Sequence, residues 1–515
     1  MVQYTTILTS LGLTILTTLV IKIYRALTTR CQGLPSIPFV ATVYDAYRGV
    51  SEIRFHNTRL RPVLEAHGAV NLWNSGQWTV LVTRPEYVVR ILRNERMVAK
   101  GGFYRKVPGS RLAGLFGENL IDSHGEVWKQ FTTIMKPGIQ RAHKISTLQA
   151  ACNKLVATVQ REQQKAAAAT TTATTSKNPE GIVINDLIER WAIDVFGEMF
   201  FDVQFAALDD VQRPVRAQSA LNAILWSLGN HLTGAFPLLE RIGAPLCPAR
   251  PHCFAMIREL EEALIEITDA LPDPSDKNQA DKLIYRMRGA RDSGQMSDFH
   301  YRSNLKMLFF AGHENVKFAF IAALWELSQS SRIQDKLYHE LVAATTRHQG
   351  DHADDASDDD LKHLPYLTAV VSETLRLYPP VSQLINRKTL APVPLGDNIT
   401  IPEGTWVGWT AYGVHTDQTT WGPDAHVFRP ERWGDDVQAI HKAISQHQVR
   451  GSYIPFNAWT RSCVGSEFAL LQLRITLAGI VRKFKITSAP GYTFSIAKNG
   501  SLEPYNCRLI FTDRT

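Results

Sequence analysis

The segment that decides the fold is Phe456-Asn457-Ala458-Trp459-Thr460-Arg461-Ser462-Cys463-Val464-Gly465, followed by a long apolar run from Phe468 to Ile480. No second cysteine lies near Cys463 to form a disulfide with it. The start of a predicted helix and the charge of Arg461 would both stabilise a thiolate at this position. Taken alone, the thiol could also be a small buried hydrophobic group, so the segment predicts a ligand, a nucleophile or a core residue.

Three further motifs lie upstream in the chain. They are Ala311-Gly312-His313-Glu314, Glu373-Thr374-Leu375-Arg376 and Phe428-Arg429-Pro430-Glu431-Arg432-Trp433. Together with the cysteine segment, they resemble in order and spacing the signatures of the cytochrome P450 superfamily, whose cysteine loop reads F-x-x-G-x-R-x-C-x-G. Phe456, Arg461, Cys463 and Gly465 match that loop, whereas Trp459 replaces its glycine. The resemblance covers about residues 35–515.

The resemblance implies a mainly α fold with small β-sheets and a haem b whose iron is ligated by Cys463. A thiolate ligand donates electron density and promotes cleavage of the O–O bond. The family's glycine normally permits a tight turn, so Trp459 requires a negative φ if a bulky residue is to fit there. The residues that the resemblance assigns to cofactor binding are Cys463, Arg461, Phe456, Gly465, Arg387, Trp128, Lys129, Ala311 and Gly312.

Several of these assignments have a physical reason. Arg461 and Arg387 suit the haem carboxylates, because a guanidinium binds a carboxylate through two hydrogen bonds. The family also uses W-x-x-x-R, but Thr132 stands at the arginine position after Trp128, so Lys129 is the predicted substitute. An exposed surface charge remains the alternative for Arg387.

The E-x-x-R pair predicts a structural role. Glu373 and Arg376 lie three residues apart, so their side chains meet on a helix. The resemblance joins them to Arg432 in a buried network, from which removal of one member would cost about 3–5 kcal/mol. On a protein surface, the same pair would contribute only tenths of a kcal/mol.

The predicted oxygen-side helix contains the catalytic candidates Glu314 and Asn315. Small Ala311 and Gly312 would let the backbone approach a flat cofactor, although core packing also explains them. Glu314 could relay protons to reduced oxygen. Asn315 replaces the family's usual threonine, and an amide cannot ionise within a hydroxyl relay. The run resembles a subset of fungal enzymes that includes the dityrosine-forming P450 of spore walls, which couple phenols oxidatively.

The chain is predicted to have three parts: a transmembrane anchor (1–24), a basic and proline-rich hinge (25–45) and a catalytic domain (46–515). The first 21 residues carry no charged side chain, which gives a run about long enough to cross a bilayer. A cleaved signal peptide is the alternative. Lys22, Arg25 and Arg30 follow the run, which predicts a single-pass protein of the endoplasmic reticulum with a cytosolic catalytic domain.

Composition indicates a large globular enzyme, with 44% hydrophobic and 20% charged residues among 515. A net charge of +7 with scattered lysine and arginine does not indicate nucleic acid binding. It favours an acidic redox partner or a lipid surface. Short strands are predicted at 78–82 and 406–409, and surface loops at 165–176, rich in alanine and threonine, and at 349–360, rich in aspartate.

These features predict a haem-thiolate monooxygenase of fungal microsomal type. Its expected substrate is a small aromatic or amino-acid-derived metabolite, hydroxylated or oxidatively coupled in secondary-metabolite biosynthesis, with electrons from NADPH through a separate flavoprotein reductase. Aromatic and cationic residues between 101 and 119 would suit an aromatic ligand with a carboxylate or phenolate, or else form a solvated loop. The alternatives are a haem-thiolate isomerase or dehydratase that needs no reductase, and a non-catalytic haem or ligand-binding protein.

Overall fold

The structure is a computed structural model that describes residue 17 and residues 30–172, 181–210, 213–225, 236–237, 240, 247, 249–347, 361–396, 398–497 and 501–514. The predicted anchor therefore lies outside the described residues apart from residue 17, and so does the predicted loop at 349–360.

Helices make up most of the described chain. Two π-helical turns, His56–Leu60 and Gly197–Phe201, and two 3₁₀ turns, Pro430–Trp433 and Trp459–Arg461, interrupt or follow them. In chain order the α-helices are α1 Phe39–Tyr47, α2 Glu52–Phe55, α3 Arg61–His67, α4 Pro85–Arg93, α5 Gly102–Lys106, α6 Arg111–Phe116, α7 Gly125–Ile139, α8 Ile145–Thr172, α9 Asn185–Phe196, α10 Arg213–Leu225, α11 Arg250–Asp269, α12 Lys277–Ala280, α13 Leu283–Asp292, α14 Asp298–Gln329, α15 Ser331–Arg347, α16 Pro365–Leu377, α17 Ala411–His415, α18 Gln418–Trp421, α19 Val437–Arg450 and α20 Ser466–Lys483.

The strands form three small sheets. They are β1 Ala69–Asn74, β2 Gln77–Val82, β3 Val98–Lys100, β4 Ile182–Val183, β5 Gln383–Thr389, β6 Val393–Gly396, β7 Ile399–Ile401, β8 Trp406–Thr410, β9 Phe484–Ser488 and β10 Arg508–Asp513. The largest sheet has the order β1-β2-β8-β5-β3, and the others are β4-β10-β9 and β6-β7. Both predicted strands, at 78–82 and 406–409, are confirmed as β2 and β8, and the mainly α fold class is confirmed as well.

Helix α14 runs through the main hydrophobic core. Ser297 caps its start by accepting a hydrogen bond from the backbone N–H of His300, which satisfies one of the unpaired donors of the first turn. Among the described residues, it is the one helix long and apolar enough to cross a membrane, and 67% of its most apolar window is buried inside the protein. It therefore packs as a core helix and positions one side of the candidate site.

The predicted hinge is described from residue 30 onward, and this part packs against the large sheet. The backbone N–H of Ile37 donates to Asn71 O at 3.0 Å, and Asn71 N–H donates to Pro35 O at 2.8 Å. Proline holds this segment extended, which allows it to pair with β1. The last part of the predicted hinge is helical, because α1 begins at Phe39 directly after Pro38.

The prediction of a surface loop at 165–176 is wrong for residues 165–172, and residues 173–176 lie outside the described residues. Helix α8 continues to Thr172. Alanine has the highest helix propensity, and the run 166–169 extends the helix despite the threonines that follow. An ion pair of 2.9 Å between Lys165 and Glu162 lies on the same helix.

Candidate active site

Cys463 lies in the short connection between the 3₁₀ turn Trp459–Arg461 and helix α20. All six cysteines are unpaired, and Cys463 is exposed whereas the other five are buried. Its backbone N–H donates to Phe456 O at 2.8 Å, which closes the loop. Surrounding protein atoms raise the pKa of the thiol, while a hydrogen bond from the Gly465 backbone N–H and the charge of Lys100 lower it. The sulfur is thus accessible and has two groups nearby that favour a thiolate.

The turn before the cysteine keeps the conformation of a glycine although tryptophan occupies it. Trp459 has a φ of +55°, so the expectation of a negative φ at this position is wrong. A left-handed conformation costs a residue with a Cβ about 1–2 kcal/mol. The ring lies 5.0 Å from the guanidinium of Arg93 and packs against a smaller hydrophobic cluster that includes Val88, Ile91 and Ile454. These contacts help to offset the strain.

Three cations and two carboxylates form a compact group beside this loop, which we call the cation cluster. Its members are Lys100, Arg387, Arg461, Glu95 and Asp122. Glu95 binds both arginines, with 2.7 Å between its carboxylate and Arg387 Nη1. Burial lowers the pKa of Lys100 to about 7 and that of Arg461 to about 10, with the neighbouring cations acting in the same direction.

Arg387 has hydrogen-bonding capacity that the protein does not use. It is fully buried, yet Nε and Nη2 have no hydrogen-bond partner in the described part of the chain. Buried donors are normally paired, and a carboxylate takes two parallel hydrogen bonds from one guanidinium. The residues present therefore fit a cofactor that carries carboxylates.

Arg461 is more completely satisfied by the protein itself. Its Nη2 donates to the carbonyls of Ile121 at 3.2 Å and Ser123 at 2.9 Å, and its guanidinium lies 4.6 Å from the ring of Trp128. The structure thus brings Arg461, Arg387 and Trp128 together around Glu95 and the cysteine loop.

Lys129 lies elsewhere. Its side chain is 64% exposed and pairs with Glu126 at 2.7 Å on the same helix. The structure does not bring Lys129 to the cation cluster, because a side chain one residue beyond Trp128 on a helix points about 100° away from it. Thr132 bonds back to the carbonyl of Trp128 at 2.8 Å.

Glu373, Arg376, Arg432 and Trp433 form a second buried group, which we call the glutamate network. Glu373 accepts two hydrogen bonds of 2.8 Å from Arg376, one of 2.8 Å from Arg432 and one of 3.0 Å from the indole of Trp433. Arg376 also donates to the carbonyls of His415 and Ala425, each at 2.7 Å. Glu373 and Arg376 are fully buried. The structure places the three predicted members in direct contact.

Ala311 and Gly312 lie on the middle of α14 and are both partly exposed. A Cβ at Gly312 would lie 2.1 Å from the ring of Phe196 on α9. The packing of α9 against α14 therefore explains why position 312 has no side chain. For Ala311, close approach of a flat cofactor to the helix is still a prediction.

Glu314 accepts hydrogen bonds from two amides of α10, Gln218 at 3.3 Å and Asn222 at 3.2 Å. Burial raises its pKa to about 7, and the ammonium of Lys317 acts in the opposite direction. A carboxyl that titrates near neutral pH can both accept and release a proton. Sequence patterns do not find the two amides, since only the packing of α10 brings them to α14.

Asn315 turns its side chain toward its own helix. Its amide nitrogen lies 3.5 Å from the carbonyl of Ala311, one turn earlier. The position therefore supplies no hydroxyl between Glu314 and the cofactor side of the helix.

Comparison with known proteins identifies the family. The cytochrome P450 family model matches residues 57–503. Cytochrome P450 monooxygenase xanG of Aspergillus fumigatus is 37% identical over 465 residues, which are 89% of this chain and 83% of the relative. Cytochrome P450-DIT2 of Saccharomyces cerevisiae is 28% identical over 94% of this chain and 93% of the relative.

A more distant relative, Cytochrome P450 714C3 of Oryza sativa, is 26% identical over 85% of this chain and 81% of its own length. The family-model match extends over the accessible cysteine and both buried charge groups. This chain belongs to the cytochrome P450 monooxygenase family.

Proposed function

We propose that this protein oxidises a small aromatic or amino-acid-derived metabolite, by hydroxylation or oxidative coupling, in fungal secondary-metabolite biosynthesis. The observation that carries the proposal is the accessible Cys463 beside a buried arginine with two unpaired donors. The similarity to a monooxygenase of Aspergillus fumigatus supports the fungal setting.

The residues have distinct tasks in this proposal. Haem b, when bound, supplies the activation of molecular oxygen, and its thiolate ligand is Cys463. Arg387 binds the cofactor carboxylates, while Phe456 packs against the main core and Gly465 donates its N–H to the sulfur. Electrons come from NADPH through a separate flavoprotein reductase, as is usual in the family.

Proton supply falls to Glu314 in this scheme. Its pKa of about 7 suits a group that takes up and gives off protons, and the amides of Gln218 and Asn222 hold the carboxylate in place. Asn315 has an amide where the family usually has a hydroxyl. An amide cannot ionise, so this position cannot pass on a proton from Glu314 as a hydroxyl would.

The segment between 101 and 119 supports an aromatic substrate. Phe103 stacks on Phe116 at 5.9 Å, and Phe116 meets Phe310 of α14 edge-on at 6.1 Å. The cations of this segment already have partners: Arg105 pairs with Glu118 at 2.6 Å, and Lys106 donates to Asn74 at 2.6 Å. Recognition through rings is therefore better supported than recognition of a carboxylate.

The test of the proposal is spectroscopic and then enzymatic. The carbon monoxide complex of the reduced protein should show the red-shifted Soret band of thiolate-ligated haem, and Cys463→Ser should lose it. Persistence of that band in Cys463→Ser would assign the ligand to another cysteine. NADPH consumption that rises with substrate when reductase is added would then separate the proposal from an isomerase or dehydratase and from a non-catalytic protein.

Asn315 is the observation that favours an isomerase or dehydratase as the second candidate. Asn315→Thr rebuilds a hydroxyl relay, so we expect more oxygen-inserted product and little change in substrate affinity. Asn315→Ala should release more peroxide per NADPH, because alanine cannot donate a hydrogen bond to reduced oxygen. Unchanged product ratios and peroxide in both variants would show that Asn315 does not direct oxygen use.

We also propose a single-pass anchor at 1–24 in the membrane of the endoplasmic reticulum, a hinge at 25–45 and a cytosolic catalytic domain at 46–515. The uncharged first 21 residues support it. Deletion of residues 1–30 should release the protein from membranes with its haem spectrum intact. Full membrane retention of the truncated protein would place the attachment elsewhere.

A further inference from the structure

His313 on α14 stands next to Glu314, and the proposed function gives it no task. Its side chain is fully buried. Nδ1 contacts the carbonyl of Phe309, one turn earlier, and Nε2 lies 2.8 Å from the amide nitrogen of Gln218 on α10. Burial and the charge of Lys317 lower the pKa of the ring to about 3, so His313 is neutral. The ring therefore has one N–H donor and one acceptor nitrogen.

The contacts of His313 fix which nitrogen carries the proton. A carbonyl oxygen can only accept, so Nδ1 holds the hydrogen that it donates to Phe309 O. Nε2 is then the acceptor, and the amide of Gln218 donates to it. The helix that carries the imidazole thus holds it in one tautomer.

This tautomer decides which way the Gln218 amide faces. The amide nitrogen donates one hydrogen to His313 and the other to the Glu314 carboxylate, at 3.3 Å. The amide oxygen is buried and has no hydrogen-bond partner in the described part of the chain. A flipped amide would set that oxygen against the acceptor nitrogen of His313. The amide therefore keeps its donor toward Glu314, although its own acceptor is left without a partner.

Charges from three segments also face the carboxyl group of Glu314. Lys317 on the same helix pairs with Glu189 of α9 at 2.8 Å and with Glu503 near the C-terminus at 3.4 Å. Lys317 lowers the pKa of Glu314, whereas Glu189 and Glu503 raise it. Asn222 of α10 is a second neutral donor, at 3.2 Å. Three carboxyl groups thus share one buried ammonium, so the amide donors matter for the ionised form of Glu314.

We propose that His313 is a positioning residue for Glu314: its acceptor nitrogen holds the Gln218 amide with an N–H toward the carboxylate, which keeps Glu314 able to release its proton. The inference rests on the proposed function, in which Glu314 supplies protons. A donated hydrogen bond favours the ionised form of a carboxyl group. Without the acceptor at position 313, the amide is free to flip, and its oxygen then accepts a hydrogen bond from protonated Glu314. Proton release becomes less favourable as a result.

The experiment measures the proton on Glu314 directly, in the full-length holoprotein without substrate. The infrared carbonyl stretch of the protonated carboxyl group is followed against pH and is identified by its absence in Glu314→Gln. His313→Leu cannot accept a hydrogen bond, so the midpoint of the titration should rise by about one pH unit. His313→Gln, whose amide can donate to Phe309 O and accept from Gln218, should restore the wild-type midpoint.

A double-mutant cycle tests whether His313 acts through the amide. Gln218→Leu alone should also raise the midpoint, because the carboxylate loses that donor. In the Gln218→Leu background, His313→Leu should add no further rise, since no amide is left to orient. The matched control is His415→Leu, which removes another fully buried imidazole whose pKa burial lowers to about 3. It should leave the midpoint unchanged.

An unchanged midpoint in His313→Leu would overturn the inference, as would additive rises in the double mutant or a wild type without a titrating carbonyl stretch. If His313→Leu does not fold, His313→Met takes its place and carries the same expectations. The carbon monoxide spectrum of the wild type separates the premises. An absent thiolate-type band would refute the proposed haem ligand, whereas a normal band with an unmoved midpoint would refute only the role of His313.

Discussion

The glutamate network and the cation cluster are both buried groups of charges, but they differ in how completely the protein satisfies them. Glu373 receives five hydrogen bonds, from Arg376 (two), Arg432, Trp433 and the backbone N–H of Arg429. In the cation cluster, two donors of Arg387 and the ammonium of Lys100 have no hydrogen-bond partner among the described residues. A complete network holds the fold together, whereas an incomplete one is suited to bind a ligand.

The largest expected effect tests the complete group. Arg376→Met removes donors to Glu373 and to three backbone carbonyls, and leaves a buried carboxylate short of partners. We expect a loss of about 3–5 kcal/mol in the free energy of unfolding, measured by denaturant titration of tryptophan fluorescence. Arg387→Met is the matched variant in the other group and should cost less, about 1–2 kcal/mol, while haem retention falls. Equal losses of unfolding free energy in the two variants would show that the two charge groups do not differ in their contribution to stability.

A second prediction concerns Glu314, a carboxylate whose burial is only partly compensated by the nearby ammonium of Lys317. Burial raises the folded-state pKa of Glu314 from 4.5 to about 7, against the opposing charge of Lys317. A raised carboxyl pKa means that the folded state holds the proton more tightly, so stability falls as pH rises between these values. Glu314→Gln should therefore be more stable than wild type above pH 7, by up to about 3 kcal/mol, and converge with it near pH 4.5.

The measurement is thermal or denaturant unfolding of both proteins between pH 4.5 and pH 8. Parallel curves over this range would show that Glu314 does not titrate in the folded protein. By contrast, removal of the charge of Glu373 in the glutamate network should make the protein less stable.

The smallest expected effect concerns backbone strain beside the cation cluster. Trp459 has a positive φ, so its replacement by glycine and by alanine should differ even though both remove the ring. Trp459→Gly should be more stable than Trp459→Ala by about 1 kcal/mol, because alanine retains the cost of the left-handed conformation. The check is the difference in denaturation midpoint, and equal midpoints would show that the turn relaxes to a negative φ.

Sequence patterns located the parts of the molecule that depend on short spacings. The E-x-x-R pair predicts a contact because residues three apart meet on a helix, and Arg376 and Glu373 lie 2.8 Å apart as a result. The cysteine loop is local as well, since its closing bond joins Cys463 to Phe456, seven residues away. These contacts are set by neighbouring residues and can be inferred without the rest of the chain.

Such patterns do not predict contacts between segments that are far apart in the sequence. The sequence predicts Lys129 beside the cofactor because it follows Trp128, yet helix geometry turns it to solvent. Gly312 was expected to face a flat cofactor, but the packing of α9 against α14 places Phe196 over it. In both cases the sequence identified the right helix and could not give the direction of the side chain.

The sequence by itself determined the family, the helical fold class and the thiol that ligates the metal in the proposed function. The tertiary structure alone decided which charges surround that thiol. Lys100 and Glu95 reach Arg387 and Arg461 only because β3 pairs with β5 and the chain after α4 folds over them. Electrostatic interactions depend on distance in space and on burial, and neither can be read from positions separated by about 300 residues along the chain.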